Sequence, residues 1–112
     1  MTLNEEKSGQ VLILSLTGKV DLGGAKTFLE RVAQILDGGE QYILIDFTDV
    51  AYVNSTGLRA LILVANRLQS SGGKLVLAGV IDHIQKLLKI SGLASHFEIH
   101  PTRTEALASF QS

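Results

Sequence analysis

Tyr42-Ile43-Leu44-Ile45-Asp46-Phe47-Thr48-Asp49-Val50-Ala51-Tyr52-Val53-Asn54-Ser55-Thr56-Gly57-Leu58 changes character twice along its length. Tyr42 to Phe47 is an almost unbroken apolar run, the pattern of a strand covered on both faces. A polar loop is expected next, and Tyr52-Val53 then place an apolar pair just before a helix entrance. Asn54, Ser55 and Thr56 all favour helix caps, and Gly57 lets another backbone come close. A buried strand passing through a short loop into a helix is the repeating unit of α/β folds.

The flanking sequence repeats that unit. Upstream, Val11-Leu12-Ile13-Leu14-Ser15-Leu16 reads as a buried strand bounded by Ser8-Gly9 and Gly18, and the segment before it as the edge strand of a hairpin. Ala25, Phe28, Leu29, Val32, Ile35 and Leu36 recur at helical spacing. Asp21 reads as the cap of that helix and Asp37-Gly38-Gly39 as its stop. Downstream, a helix from about Ser55 sets Leu58, Leu61, Ile62, Ala65 and Leu68 on one side and ends at Ser71-Gly72-Gly73. Lys74-Leu75-Val76-Leu77-Ala78 is the next buried strand. Asp82 and Gln85 form a capping-box pair for a short helix through Ile84, Leu87 and Leu88, ended by Gly92. Phe97-Glu98-Ile99 is a last strand, and Thr102 with Glu105 opens a C-terminal helix through Leu107 and Phe110. The expected architecture is one α/β domain over residues 1–112. Its small mixed sheet starts with an antiparallel hairpin, continues with parallel strands joined by right-handed crossovers, and carries helices packed against it.

Composition narrows the function. The chain has 112 residues, 46% of them hydrophobic and 19% charged, which suits a packed core rather than disorder. No cysteine is present, so disulfides, thiolate metal sites and cysteine nucleophiles are excluded. A net charge of −1 offers no basic field for nucleic acid. No apolar run nears the roughly 20 residues of a membrane-spanning helix, so direct membrane insertion is not expected. With a polar, acidic beginning, a cytoplasmic location follows as the expectation. His83, His96 and His100 lack metal-like spacing and read as solvated. Asp46 and Asp49 read as turn caps rather than a magnesium pair. Gly72-Gly73-Lys74 is no phosphate loop, because Leu75 stands where a hydroxyl belongs. No Gly-x-Ser-x-Gly elbow supports a hydrolase triad. The expectation is a non-enzyme with no catalytic residue, no metal and no cofactor.

Asn54-Ser55-Thr56-Gly57-Leu58, opening a helix after an apolar strand and a short loop, resembles the signature of STAS domains in bacterial anti-sigma factor antagonists. There the motif is Asp-Ser-Ser-Gly-Leu or Asp-Ser-Thr-Gly-Leu. Gly18-Lys19-Val20-Asp21 is similar to that family's Gly-Glu-Leu-Asp. Gly72-Gly73-Lys74-Leu75 and Ser91-Gly92-Leu93 fall where it has Gly-Gly and Ser-Gly-Leu. The resemblance covers essentially the whole chain.

It implies a partner switch. The unphosphorylated protein binds an anti-sigma factor that is also a serine kinase of the histidine-kinase ATPase type. Phosphorylation of the serine matching Ser55, with Thr56 as the alternative acceptor, ends the complex. A metal-dependent serine phosphatase resets it, and nucleotide and magnesium belong to the kinase. Partner-binding residues are expected at Asp21, Asn54, Ser55, Thr56, Gly57, Arg59, Leu63 and Asn66. Ser55 as a plain helix cap, and Asp21 as a cap without a contact, stand beside those roles. The chain departs from the family at Asn54 (for aspartate), Arg59 (for glycine) and Lys19 (for glutamate). Those changes point to a partner unlike those of the sporulation and general-stress members. The alternative function is an accessory STAS subunit of a membrane transporter, a lipid-transport ABC complex or an anion carrier, with Ser55 a constitutive docking cap.

Overall fold

Val11 to Leu14 and Ile43 to Ile45 are apolar on both faces, and they lie side by side in the middle of one sheet. The computed structural model describes residues 1–92 and 97–111. Strand β1 (Thr2–Ser8) turns through Gly9, at φ 59°, into β2 (Val11–Val20) as an antiparallel pair. There follow α1 (Leu22–Asp37), β3 (Tyr42–Val53), α2 (Ser55–Ser70), β4 (Lys74–Ala78), α3 (Asp82–Ile90), β5 (Glu98–His100) and α4 (Arg103–Ser109). The strand order is β1-β2-β3-β4-β5, with β2 to β5 mutually parallel. The α/β class, the leading hairpin and the parallel continuation agree with the sequence reading.

Alternation along the strands divides the core. Leu12, Leu14, Ile43, Ile45, Phe47 and Leu77 point to the face covered by α1, α2 and α3, where they meet Phe28, Val32, Leu61, Leu68 and Ile84. Val11, Ile13, Leu44 and Val76 point the other way, to α4 and its Ala106. Each large apolar side chain buried in this way contributes about 1.5–3 kcal/mol, so most of the stability lies on the three-helix face. On the thinner face α4 is also tied down by polar contacts. Phe110 meets Tyr42 edge-on at 6.3 Å, and the Lys74 ammonium sits 5.2 Å from the Phe110 ring centre. Arg103 reaches back from the start of α4 and donates to Asp46 at 3.1 Å, Ser15 at 2.8 Å and Glu6 at 3.3 Å.

That clasp gives a pH-dependent expectation. Burial works to raise the Asp46 carboxyl, but donors outweigh it: the Thr48 hydroxyl at 2.6 Å, the Thr48 amide at 2.9 Å and the Arg103 guanidinium. Its pKa is therefore held below the usual carboxylate range. The folded protein then binds this proton less readily than the unfolded chain does. The stabilisation is complete above pH ~4 and is lost as pH falls through the lowered value. Arg103→Ala is expected to cost about 1.5–3 kcal/mol at pH 7, as for a hydrogen bond to a charged group. Urea unfolding should show that deficit narrowing by pH 3; an equal deficit at both pH values would mean that Asp46 is not the partner that matters.

The structure corrects the sequence reading in several places. The polar loop expected after Phe47 is strand, because Asp49 to Val53 pair with Thr17 to Val20 of a β2 that also runs past Leu16. Register shifts between Ser15 and Thr17 and between Gly18 and Lys19 break the period-2 alternation that would have revealed it. On α2, Ala60 and Val64 are buried, whereas Ile62 and Ala65 are only partly so. Asp82 does not cap α3. Ile81 holds that position without a side-chain bond, and Gln85 donates to the Val80 carbonyl at 2.8 Å, so no capping box forms. At α4, Thr102 accepts from the Glu105 amide as expected, at 3.2 Å.

Candidate functional site

Two helix entrances stand side by side where β2 and β3 end. Extended backbone at Asp21 and Asn54 delivers each chain into its helix, and both residues cap through a local bond. Asp21 Oδ1 accepts from the Gly24 amide at 3.0 Å, and Asn54 Oδ1 accepts from the Gly57 amide at 2.9 Å. The Asn54 amide donates to the Val20 carbonyl at 3.2 Å, which locks the two entrances together. The glycines are needed for close approach. A Cβ on Gly57 would lie 2.6 Å from the Val20 carbonyl oxygen, and one on Gly24 would lie 2.8 Å from that of Lys19. Both helices are thus seated on the C-terminal end of β2.

Ser55 is the first residue of α2 and is exposed. Its hydroxyl makes no hydrogen bond among the described residues, since Asn54 performs the capping. This corrects the plain-cap alternative, because the amide one residue earlier has the right geometry and the serine does not. The first amides of a helix carry partial positive charge, so added negative charge there is tolerated. Thr56 is half-buried and Gly57 buried, leaving Ser55 the more accessible hydroxyl. Asp21 is exposed but acts as a cap.

Arg59, Leu63 and Asn66 follow Ser55 along the outer face of α2, and all are exposed, Leu63 by 52%. Arg59 has no ion pair among the described residues, whereas Arg67, two turns on, pairs with Asp37 of α1. Two large apolar residues near the entrances are exposed, and of these only Tyr52 was placed there by the sequence reading. Leu22, directly after Asp21, is 71% exposed, and Tyr52, two residues before Asn54, is 46% exposed beside Lys19 of the neighbouring strand. The available signal was that Leu22 lies outside the apolar stripe of α1, with two glycines after it.

Other candidate chemistry falls away from this end. Among the described residues no cluster of three or more histidine, aspartate or glutamate side chains could hold a metal. Asp46 is taken by Thr48 and Arg103, and Asp49 is exposed. His100 is not free in solvent as expected; it is part of β5 and lies 2.9 Å from Glu98. His83 is exposed, while His96 and the Leu93 of Ser91-Gly92-Leu93 lie outside the described residues. No helix among the described residues is long and apolar enough to cross a membrane.

Comparison with known proteins then adds three findings. The family model for the STAS domain matches residues 2–106. BtrV of Bordetella bronchiseptica, for which an anti-sigma factor antagonist role is proposed, is 33% identical over 100% of this chain and 97% of its own length. The anti-sigma-B factor antagonist of Listeria monocytogenes is 30% identical over 85% of this chain and 83% of its own. Among solved structures, a Thermotoga maritima protein proposed for the same role superposes with a TM-score of 0.94. It is 22% identical, and the match covers 98% of this chain and 95% of that one.

Proposed function

The chain belongs to the STAS domain family, and from that premise we propose that it is an anti-sigma factor antagonist switched by phosphorylation of Ser55. Unphosphorylated, the surface around Asp21, Asn54, Ser55, Thr56, Gly57, Arg59, Leu63 and Asn66 docks on an anti-sigma factor that is itself a serine kinase of the histidine-kinase ATPase type. Phosphate on Ser55 ends that complex, and a serine phosphatase restores it. One observation carries the reading. The Ser55 hydroxyl is exposed at the head of α2 and is not used by the fold, because Asn54 caps the helix in its place. The relatives named as antagonists supply the class of partner.

The deciding experiment incubates the protein with candidate host kinases and ATP and locates phosphate by mass spectrometry. Phosphate on Ser55, lost in Ser55→Ala, supports the reading. Tight partner binding without any phosphate rejects the switch and leaves constitutive docking, as in a transporter accessory subunit.

Arg59, four residues after Ser55 on the same helix face, is placed to pair with the phosphate. The second ionisation of the phosphate, near pH 6 for a free phosphoserine, is therefore expected at lower pH in the wild type than in Arg59→Ala. Phosphorus NMR titration of the two phosphoproteins measures this, and identical midpoints would show that the pair does not form.

A further inference from the structure

Between α1 and α2 runs an open groove of about 330 Å³, with Leu29, Ala33 and Leu36 on one side and Leu63 on the other. Val32 and Val64 lie at its base, and Arg67, paired with Asp37, bridges the two helices at the end away from Ser55. The end toward Ser55 is charged differently. Lys26 stands one turn before Leu29, and Arg59 one turn before Leu63. Both are exposed and neither has an ion pair among the described residues. Glu30, exposed one turn after Lys26, is the carboxylate nearest them along α1. The groove is thus apolar in the middle and carries two cations at the Ser55 end, Arg59 with no carboxylate one turn away on its own helix and Lys26 with Glu30 one turn on.

We infer that this groove receives a helix of the partner protein. That helix presents an apolar side chain to the Leu29–Leu63 cleft and, one turn away, a carboxylate to Arg59 and Lys26. Charge complementarity sets the orientation, since a basic residue in that place would meet two like charges, and like charges at an interface oppose binding. The inference rests on the reading of Ser55 as the switch and deepens it. A phosphate on Ser55 lies on the same helix face as Arg59 and competes with the partner's carboxylate for the one guanidinium. Release therefore has two parts: charge repulsion at the helix entrance, and withdrawal of Arg59 from the partner.

The test uses the full chain and the purified kinase that phosphorylates Ser55, with affinity read by calorimetry in the absence of ATP. Leu63→Ala and Arg59→Glu are each expected to weaken binding at least about tenfold, as at an interface anchor. The Arg59→Glu loss should shrink as salt rises. In Arg59→Ala, phosphorylation of Ser55 should cost a smaller factor in affinity than in the wild type. Both side chains are exposed, so circular dichroism should show folded variants. Wild-type affinity in Leu63→Ala and Arg59→Glu, with a loss in Leu22→Ala or Tyr52→Ala, overturns the groove and keeps the switch. If no kinase that binds the chain phosphorylates Ser55, the switch and the groove's competition fail together.

Discussion

Phosphorylated on Ser55, the protein is expected to bind its partner more than about a hundredfold more weakly than in the unmodified form. The phosphate adds about −1.5 to −2 charges at pH 7. Docking an interface fitted to a neutral hydroxyl would take that charge out of water, and the desolvation penalty is several kcal/mol per ion, which the single pairing with Arg59 offsets only in part. About 3 kcal/mol is already enough for the hundredfold loss. Within the free protein the same charge has the opposite effect. It sits at the head of α2, where the helix dipole favours it by about 0.3–1 kcal/mol. Thermal unfolding of the phosphoprotein should therefore show equal or slightly higher stability, while calorimetry shows the affinity loss. This pairing separates a switch from damage. Ser55→Ala is expected to bind near the wild-type level and to be insensitive to ATP. A phosphoprotein that binds within threefold of the unmodified one would remove Ser55 as the switch.

Gly57→Ala is expected to cost about 2–3 kcal/mol, as overpacking typically does, or roughly 10–20 °C in Tm for a chain of this size. The added Cβ would meet the Val20 carbonyl oxygen at 2.6 Å and the methyls of Val20 and Val53 at 2.9 Å. None of these is the loose end of a flexible side chain, so α2 must lift from β2. The gain of about 0.5–1 kcal/mol from replacing glycine inside a helix is too small to offset this. Gly23 in α1 is the control. A Cβ there meets only the capping carboxylate of Asp21, at 3.9 Å, so Gly23→Ala is expected to stabilise by about 0.5–1 kcal/mol. Equal effects at the two glycines in a thermal melt would refute the seating of α2 on β2 as the reason for Gly57.

The difference between those glycines bears on how far the chain is legible without its fold. Gly23 lies two residues after the Asp21 cap and Gly57 three after the Asn54 cap; the motif marks Gly57 as a place where another backbone comes close, but not which backbone. That backbone is at Val20, 37 positions away. The caps themselves were readable. Asp21 was seen as the cap of α1 and Asn54 as one of three capping residues before α2, because such a bond joins residues three apart and needs nothing else. At α3 the local rule failed. Asp82 has the right residue type, yet the chain enters α3 one position earlier.

By itself, the sequence determined the order of strands and helices, the mixed sheet with its leading hairpin, and the residues that carry the family resemblance. Those properties follow from hydrophobic period, glycine punctuation and short motifs, all of which act over a few neighbouring residues. Only the tertiary structure decided that β3 continues to Val53, because the second half of that strand exists by pairing with Thr17 to Val20 across irregular register. It alone set Arg103 on Asp46 and Ser15, left the side chains of Leu22 and Tyr52 exposed, and opened the groove between Leu29 and Leu63. Each of these depends on which distant residue lies alongside, and that is fixed only when the two faces of the sheet are covered together.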